Sequence, residues 1–309
     1  MKSKKVLVSK VKIITKIDEL RKNLKKERLA GKTIGLVPTM GCFHQGHLSL
    51  IRRARQECDV VVVSLYINPL QFGPQEDFKD YPRNLGRDKK LAENEGVDYL
   101  FLPENKEMYP GKQLTFVEVK EITSKLCGQN RPGHFTGVAS VCAKLFNIVR
   151  PHKAYFGKKD FQQLKVVKKM VEDLNFDLEI VAVPTVREKD GLAISSRNIY
   201  LTPAQRKAAL VLSRYLNQAQ RMVSEGEREV KFLKERLVQA IKKENSVSLE
   251  YLSVCDPENF EEITRVDEKA LLAIAIRIGK ARLIDNTILK PGTRNSGSGT
   301  RIPDLTTKK

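Results

Sequence analysis

The chain has 309 residues, 41% hydrophobic and 30% charged, so it can bury a sizeable core, and its length favours two domains. Its formal net charge of +19 raises the question of nucleic-acid binding. Residues 1–32 carry a net +9 and residues 290–309 a net +4, which leaves only +6 for the rest. This distribution favours solubility or nonspecific attraction to polyanions, so we expect no nucleic-acid partner.

Residues 33–184 alternate apolar strand patterns with helical patterns. Strands are predicted at 33–37, 59–66, 97–102, 153–156 and 178–183, and helices at 47–57, 84–95, 138–149 and 160–173. Because this alternation is typical of parallel sheets with right-handed crossovers, we predict an α/β fold with a Rossmann-like, doubly wound sheet over residues 1–184. Ligands of such sheets bind beyond the carboxyl ends of the strands.

A smaller α+β domain is predicted over residues 185–290. Its predicted elements are a helix with Thr202 as N-cap and Pro203 at its first position, a helix at 230–243, and strands at 248–254, 271–278 and 282–284. Residues 291–309 are rich in Gly and Ser near their start, which predicts a disordered tail.

Membrane and disulfide chemistry are not indicated. No apolar run reaches the ~18 residues of a spanning helix, and the lysine-rich N-terminus lacks the apolar stretch of a secretory signal. The five cysteines form no C-x-x-C pair. We expect a cytoplasmic protein with free thiols and no membrane partner.

The first site pattern follows the first predicted strand and contains two histidines, His44 and His47, separated by Gln45 and Gly46. A helix is predicted to begin there, and helix N-termini bind phosphate through free N–H groups and the helix dipole. Gly46 lets the backbone approach closely, and an imidazolium stabilises phosphate charge. The alternative is that one histidine caps the helix and the other is present by chance. Two of the four histidines in the chain lie here, which favours a shared role.

H-x-G-H after a strand resembles the motif of the nucleotidyltransferase superfamily, and the string from Val37 to Ile51 resembles the pantothenate synthetase family. That family condenses pantoate with β-alanine using ATP and magnesium. The resemblance implies that Met40, Gly41 and the H-x-G-H residues contact ATP and that His47 donates a proton. The Cys42-Phe43 pair departs from the family's small residue followed by Leu.

Two further patterns contain candidate site residues. One follows the predicted strand at 59–66, and the other lies in the loop before the predicted helix at 138–149. Asn68 and Gln71 follow the second predicted strand, where their amides either orient a small hydroxy acid or satisfy loop backbone. The resemblance implies that Gln71 contacts both pantoate and the amine, and we include Asn68 with it. Arg131 and His134 lie in a Gly-containing loop that resembles the family's R-P-G-H-F-x-G-V segment, and we assign neither a chemical step.

The fourth pattern, Phe156-Gly157-Lys158-Lys159-Asp160, joins a predicted strand to a helix. A lysine here can bind phosphate, and Asp160 can cap the helix or hold the nucleotide or its metal. A capped surface helix with solvated lysines is the alternative. The segment resembles the family's ATP-binding G-x-K-D, which implies ATP contacts for 157–160 and a pantoate contact for Gln163. Lys158 replaces the usual glutamate.

The fifth pattern is Ser195-Ser196-Arg197, two hydroxyls followed by a guanidinium. Such a set can clamp a polyphosphate, although the residues alone slightly favour a polar interdomain loop. It resembles the family's M-S-S-R-N, with Ile194 in place of methionine. The resemblance implies that these residues and Val186 contact ATP.

The resemblance spans residues 12–289 and implies a two-step reaction in which pantoate and ATP form pantoyl adenylate and β-alanine then displaces AMP. His44, His47, Lys159 and Arg197 are the expected catalytic residues. We expect Mg²⁺ to bridge phosphate oxygens with few protein ligands, of which Asp88 is a candidate. The family also implies a homodimer. The alternatives are another adenylyl- or cytidylyltransferase on this scaffold and a basic nucleic-acid-binding protein.

Overall fold

The computed structural model describes residues 10–292 except Gln75 and Asn245. The predicted disordered tail therefore lies outside the described residues from position 293 onward, as do residues 1–9.

The N-terminal part is built on six parallel strands: β1 (Lys12–Ile14), β2 (Ile34–Thr39), β3 (Val60–Leu65), β4 (Tyr99–Phe101), β5 (Lys153–Gly157) and β6 (Glu179–Val183). Their order in the sheet is β1-β4-β3-β2-β5-β6, so the predicted doubly wound α/β fold is confirmed. The sequence patterns predicted β2 to β6. They missed β1, which has three residues and buries only Ile14.

Seven helices accompany this sheet in the described chain: α1 (Ile17–Leu29), α2 (Gln45–Glu57), α3 (Leu85–Asn94), α4 (Asn105–Met108), α5 (Cys127–Asn130), α6 (His134–Val149) and α7 (Phe161–Asp173). α1 was not predicted, because only Leu20 and Leu24 of its charge-rich sequence are buried. α6 begins four residues before its predicted start. The preceding loop ends at Gly133, whose φ of 79° is readily adopted by glycine.

The valine run of β3 is buried because both faces of the sheet are covered. Val60 and Val62 pack in the core on the α6 side, whereas Val61 and Val63 pack in the core on the α2 side. Strand alternation therefore assigns each position of β3 to one helix layer.

Within the residues that the structure describes, the C-terminal part packs three helices and an antiparallel sheet. Its elements are α8 (Pro203–Ala209), α9 (Val211–Ser224), α10 (Val230–Ile241), β7 (Ser248–Cys255), β8 (Ala270–Ile278) and β9 (Ala281–Leu289), with sheet order β7-β8-β9. Thr202 caps α8 in a reciprocal capping box with Gln205. The predicted domain boundary at residue 184 stays a prediction. None of the helices in the described chain is long and apolar enough to cross a membrane.

The order of the large sheet reverses at β2. From β2 the chain proceeds through β3 to β4 on one side, whereas β5 and β6 lie on the other. The loops that leave β2 and β5 therefore separate at their carboxyl ends and open a crevice, which is where ligands of doubly wound sheets bind.

Gly137 brings α6 against the turn that follows β3. A Cβ atom built at Gly137 would lie 2.2 Å from the carbonyl oxygen of Leu70 and 2.7 Å from the amide nitrogen of Gln71. Only glycine permits this approach, and the turn that carries Gln71 takes its position from it.

We expect Gly137→Ala to lower the free energy of unfolding by about 1–3 kcal/mol, because the added methyl must displace backbone atoms. Gly86→Ala is the matched control: it lies in α3 with no heavy atom within 4 Å of its added Cβ. The control should be neutral or stabilising by up to about 1 kcal/mol. Urea denaturation of both variants checks this, and equal midpoints would contradict it.

Candidate active site

A cavity of about 230 Å³ opens at the carboxyl ends of β2 and β5. Most of the predicted site residues line it: Met40, His44, Gly46, His47, Gln71, Gly157, Lys159, Asp160, Gln163, Val186, Ile194, Ser195, Ser196 and Arg197. Four others do not line it: Gly41, Asn68, Asp88 and Lys158. The folded chain thus brings the five sequence patterns to one crevice.

His44 and His47 stack at the start of α2, with ring centroids 4.0 Å apart. A Cβ atom on Gly46 would lie 2.9 Å from the His44 ring, so this glycine makes room for the stack. The Nδ1 atoms of both histidines are buried and lack a hydrogen-bond partner within the described residues. Orphaned polar atoms that line a cavity at a helix N-terminus suit an anionic ligand.

Both histidines are neutral near pH 7 in the ligand-free chain. Burial, and then the charge of Lys159, lower the pKa of His44 to about 4. Burial and the neighbouring His44 hold the pKa of His47 well below its usual value. The imidazolium expected from the sequence is therefore absent before a ligand binds, and negative charge in the cavity would raise both pKa values.

Asp88 fixes the loop that leads from β2 to the histidines. Its Oδ2 accepts a hydrogen bond from the Cys42 N–H and its Oδ1 one from the Phe43 N–H, both at 2.7 Å. The loop needs this support because Gly41 and Cys42 have φ values of 86° and 53°. Asp88 is buried and does not line the main cavity, so its role as a metal ligand stays a prediction.

Gln71 is held by a hydrogen-bond network around Arg131, which lines the cavity together with His134. The Gln71 carbonyl accepts hydrogen bonds from His134 Nδ1 at 2.8 Å and Arg131 Nη2 at 3.4 Å. Arg131 also donates to His134 Nε2, which identifies the neutral tautomer with its proton on Nδ1, in agreement with a pKa lowered to about 4 by burial. Glu76, which the sequence patterns did not single out, accepts two bonds from Arg131 at 2.5 Å.

Asn68 lies behind this turn, where it is buried. Its Nδ2 donates to the Gly137 carbonyl at 3.0 Å, and its Oδ1 accepts from the Tyr109 hydroxyl at 2.8 Å. Through these two bonds the Asn68 amide positions the turn. The predicted contact of Asn68 with a substrate stays a prediction.

The two adjacent lysines after β5 face different surroundings. Lys159 lines the cavity, with its Nζ 3.7 Å from Asp160 Oδ1, whereas the Lys158 side chain is exposed and lies outside the cavity lining. Asn286 of β9 fixes this turn by donating to the carbonyls of both lysines, at 3.1 and 2.8 Å.

Arg197 reaches the cavity wall but is paired there with Asp77. Two parallel hydrogen bonds of 3.0 and 2.8 Å join its guanidinium to the Asp77 carboxylate. Ser195 Oγ accepts from the Arg197 N–H, and Ser196 Oγ donates to the Cys42 carbonyl at 3.4 Å. Asp77 was missed by the sequence patterns, because only the fold brings residues 120 positions apart together.

Among the described residues, few side chains are placed to bind a metal ion. In the chain as described, no three His, Cys, Asp or Glu side chains come together as a metal-binding group. Asp160 is the only carboxylate among the described residues that line the cavity. This donor set fits a Mg²⁺ ion held mainly by phosphate oxygens and water.

Comparison with known proteins identifies the family. Residues 12–288 match the family model described as Pantoate-beta-alanine ligase. The chain belongs to the pantoate–β-alanine ligase family. Proteins named pantothenate synthetase from Thermotoga neapolitana and Caldicellulosiruptor bescii are 52% and 51% identical to this ligase, covering 90% of it and 100% and 99% of their own lengths.

Solved structures give the same result. Pantothenate synthetase from Thermus thermophilus aligns with a TM-score of 0.86 at 45% identity, covering 91% of this ligase and all of the other chain. The Francisella tularensis pantoate–β-alanine ligase, solved with β,γ-ATP and β-alanine, aligns with a TM-score of 0.74 at 34% identity, covering 90% and 97%. The predicted family and enzyme class are confirmed.

Asp88→Asn tests whether this residue holds the loop or the metal. An amide offers one acceptor oxygen where two N–H groups need partners, so we expect the KM for ATP to rise roughly five- to 100-fold, the range for a lost buried hydrogen bond. Steady-state kinetics across a range of Mg²⁺ concentrations checks this. Recovery of activity at high Mg²⁺ would instead support metal ligation.

Proposed function

We propose that the chain condenses pantoate with β-alanine in an ATP-dependent reaction that passes through pantoyl adenylate and releases pyrophosphate and AMP. One observation carries the proposal: a single cavity at β2 and β5 is lined both by groups suited to phosphate and by groups suited to a small hydroxy acid. His44, His47 and Lys159 are of the first kind, and Gln71 and Gln163 are of the second.

ATP lies with its phosphates at the start of α2 in this proposal. The free N–H groups of the first helical turn, the histidine rings and Lys159 surround the phosphates and stabilise the charge that develops as pyrophosphate leaves. Val186 and Ile194, joined by an N–H···O bond of 3.0 Å, provide a wall for the base. Gly41 and Gly157 shape the two loops that approach the nucleotide.

Pantoate binds across from the phosphates. The amides of Gln71 and Gln163 orient its polar groups, and the apolar wall of α6, with Val138, Val141 and Leu145, contacts its methyl groups. The carboxylate is already ionised and attacks the α-phosphate directly. Catalysis is therefore mainly positioning and charge stabilisation.

The neutral histidines gain a role when ATP arrives. The charge of the phosphates raises their pKa values, so an imidazole can become the proton donor that the family resemblance implies for His47. In the second step the amine nitrogen of β-alanine attacks the activated carbonyl carbon, and the bond between that carbon and the AMP oxygen breaks.

Arg197 joins the site by exchanging partners. Its guanidinium leaves Asp77 for the polyphosphate, while Ser195 and Ser196 complete the clamp. The C-terminal part closes over the crevice and keeps water from the anhydride. Asp160, the only carboxylate among the described residues that line the cavity, would hold a Mg²⁺ ion or its water ligands, and the ion would supply positive charge for the phosphates.

Homodimer formation is part of the proposal, and the segment 112–119, which lies outside the helices and strands, supports it. Leu114 and Phe116 are 79% and 50% exposed. Within the described residues this segment makes no backbone–backbone hydrogen bond, although the Val117 N–H donates to Ser140 Oγ. Exposed apolar side chains on a segment with few backbone hydrogen bonds are suited to pairing with a second copy.

The proposal also places the enzyme in the cytoplasm. All five cysteines are free and buried, as expected in a reducing compartment.

Pantoate-dependent exchange of labelled pyrophosphate into ATP, with Mg²⁺ and without β-alanine, tests the first step. The protein should catalyse this exchange, because the adenylate forms reversibly. Lys159→Met should slow it about 10²–10³-fold through loss of a charge aimed at the phosphates. Lys158→Met should stay within about threefold, since an exposed charge contributes little.

Absent exchange in folded, ATP-binding protein would overturn the pantoyl-adenylate mechanism and favour a different acid or simple nucleotidyl transfer. Equal losses in the two lysine variants would contradict the assignment of Lys159.

Phe116→Glu tests the dimer surface. We expect sedimentation equilibrium at micromolar concentration to give twice the chain mass of 35.1 kDa for the unmodified protein and the monomer mass for the variant. Phe232→Glu is the matched control, because Phe232 is 53% exposed on α10. A dimeric Phe116→Glu protein would show that another surface mediates assembly.

A further inference from the structure

Ser64 is a polar residue in an apolar stripe. It follows Val60 and Val62 on the face of β3 covered by α6, and Tyr66 continues the same side. Its side chain is buried, with 1% exposure, and it lines the main cavity. A valine would suit the packing of this face. A buried hydroxyl at this position needs a hydrogen-bond partner to offset its loss of solvation.

The protein supplies no such partner. Ser64 Oγ has no hydrogen bond within the described residues, and it is the only hydroxyl among the orphaned buried atoms that line this cavity. The α6 side of the lining, with Val138, Val141 and Leu145, is apolar. Burying an unpaired hydroxyl is unfavourable, so its position indicates a bond made only when the cavity is filled.

The strand holds Ser64 rigidly. It pairs with Pro38 of β2 in the parallel register, and its carbonyl accepts a hydrogen bond of 2.7 Å from Thr39 Oγ1. A hydroxyl on a fixed backbone at the wall of a cavity is preorganised for a ligand group.

We propose that Ser64 binds the terminal hydroxyl of pantoate and makes the site selective for an acid with that hydroxyl; this rests on the proposed function. The carboxylate of pantoate must lie at the phosphate end, near His44, His47 and Lys159. Its terminal hydroxyl lies at the other end of the molecule, beyond the carbon with two methyl groups. With those methyl groups on the α6 wall, this hydroxyl reaches Ser64.

The test compares two acids and three proteins. The acids are pantoate and 2-hydroxy-3,3-dimethylbutyrate, which lacks only the terminal hydroxyl. The proteins are the unmodified chain, Ser64→Ala and the control Ser253→Ala, a serine that is also buried but lies in β7 and outside the cavity lining. Binding is measured by calorimetry with an ATP analogue bridged by methylene between the α and β phosphates, so no reaction is required.

We expect the unmodified protein and Ser253→Ala to bind pantoate more tightly than the deoxy acid. Ser64→Ala should weaken pantoate binding about tenfold, as expected for one lost hydrogen bond, and leave deoxy-acid binding unchanged. Equal weakening for both acids, or no change for pantoate, would overturn the inference.

The binding and exchange measurements together distinguish a wrong role for Ser64 from a wrong proposed function. Binding that follows this pattern without pantoate-dependent pyrophosphate exchange would support Ser64 as a hydroxyl-binding residue and overturn adenylate formation. Exchange that proceeds normally in Ser64→Ala with an unchanged KM for pantoate would overturn the role of Ser64 alone.

Discussion

The reversal of strand order at β2 is the constraint on which the rest of the site depends. The chain leaves β2 toward β3 on one side, whereas β5 and β6 lie on the other. The loops after β2 and β5 therefore diverge and open a crevice between them. One loop brings a helix N-terminus with two histidines, and the other brings Lys159. A sheet without this reversal would not hold these groups on facing walls.

Polar side chains from several elements fix the segments that line the crevice. Asp88 binds two N–H groups of the first loop, Arg131 and His134 bind the carbonyl of Gln71, and Asn286 binds the turn after β5. Each contact joins a lining segment to a distant element, so the geometry of the crevice depends on packing of the whole fold.

The sequence predicted what is local and missed what is long-range. Strand–loop–helix patterns located His44, His47 and the lysine turn, because their chemistry is set by neighbours along the chain. Adjacent lysines look alike in sequence, and only the turn geometry separates Lys159 from Lys158. Asp77 and Ser64 acquire significance from contacts or cavities that no spacing reveals, and burial sets the histidine pKa values.

The ion pair between Arg197 and Asp77 has a consequence for the order in which ligands leave. If the guanidinium exchanges a carboxylate for a polyphosphate, nucleotide capture is a competition between two anions, and its strength depends on the phosphates beyond the first. AMP has only one phosphate and competes poorly. Once pyrophosphate has left and β-alanine has displaced AMP, the carboxylate can reclaim the arginine, which weakens the hold on the spent nucleotide and favours turnover.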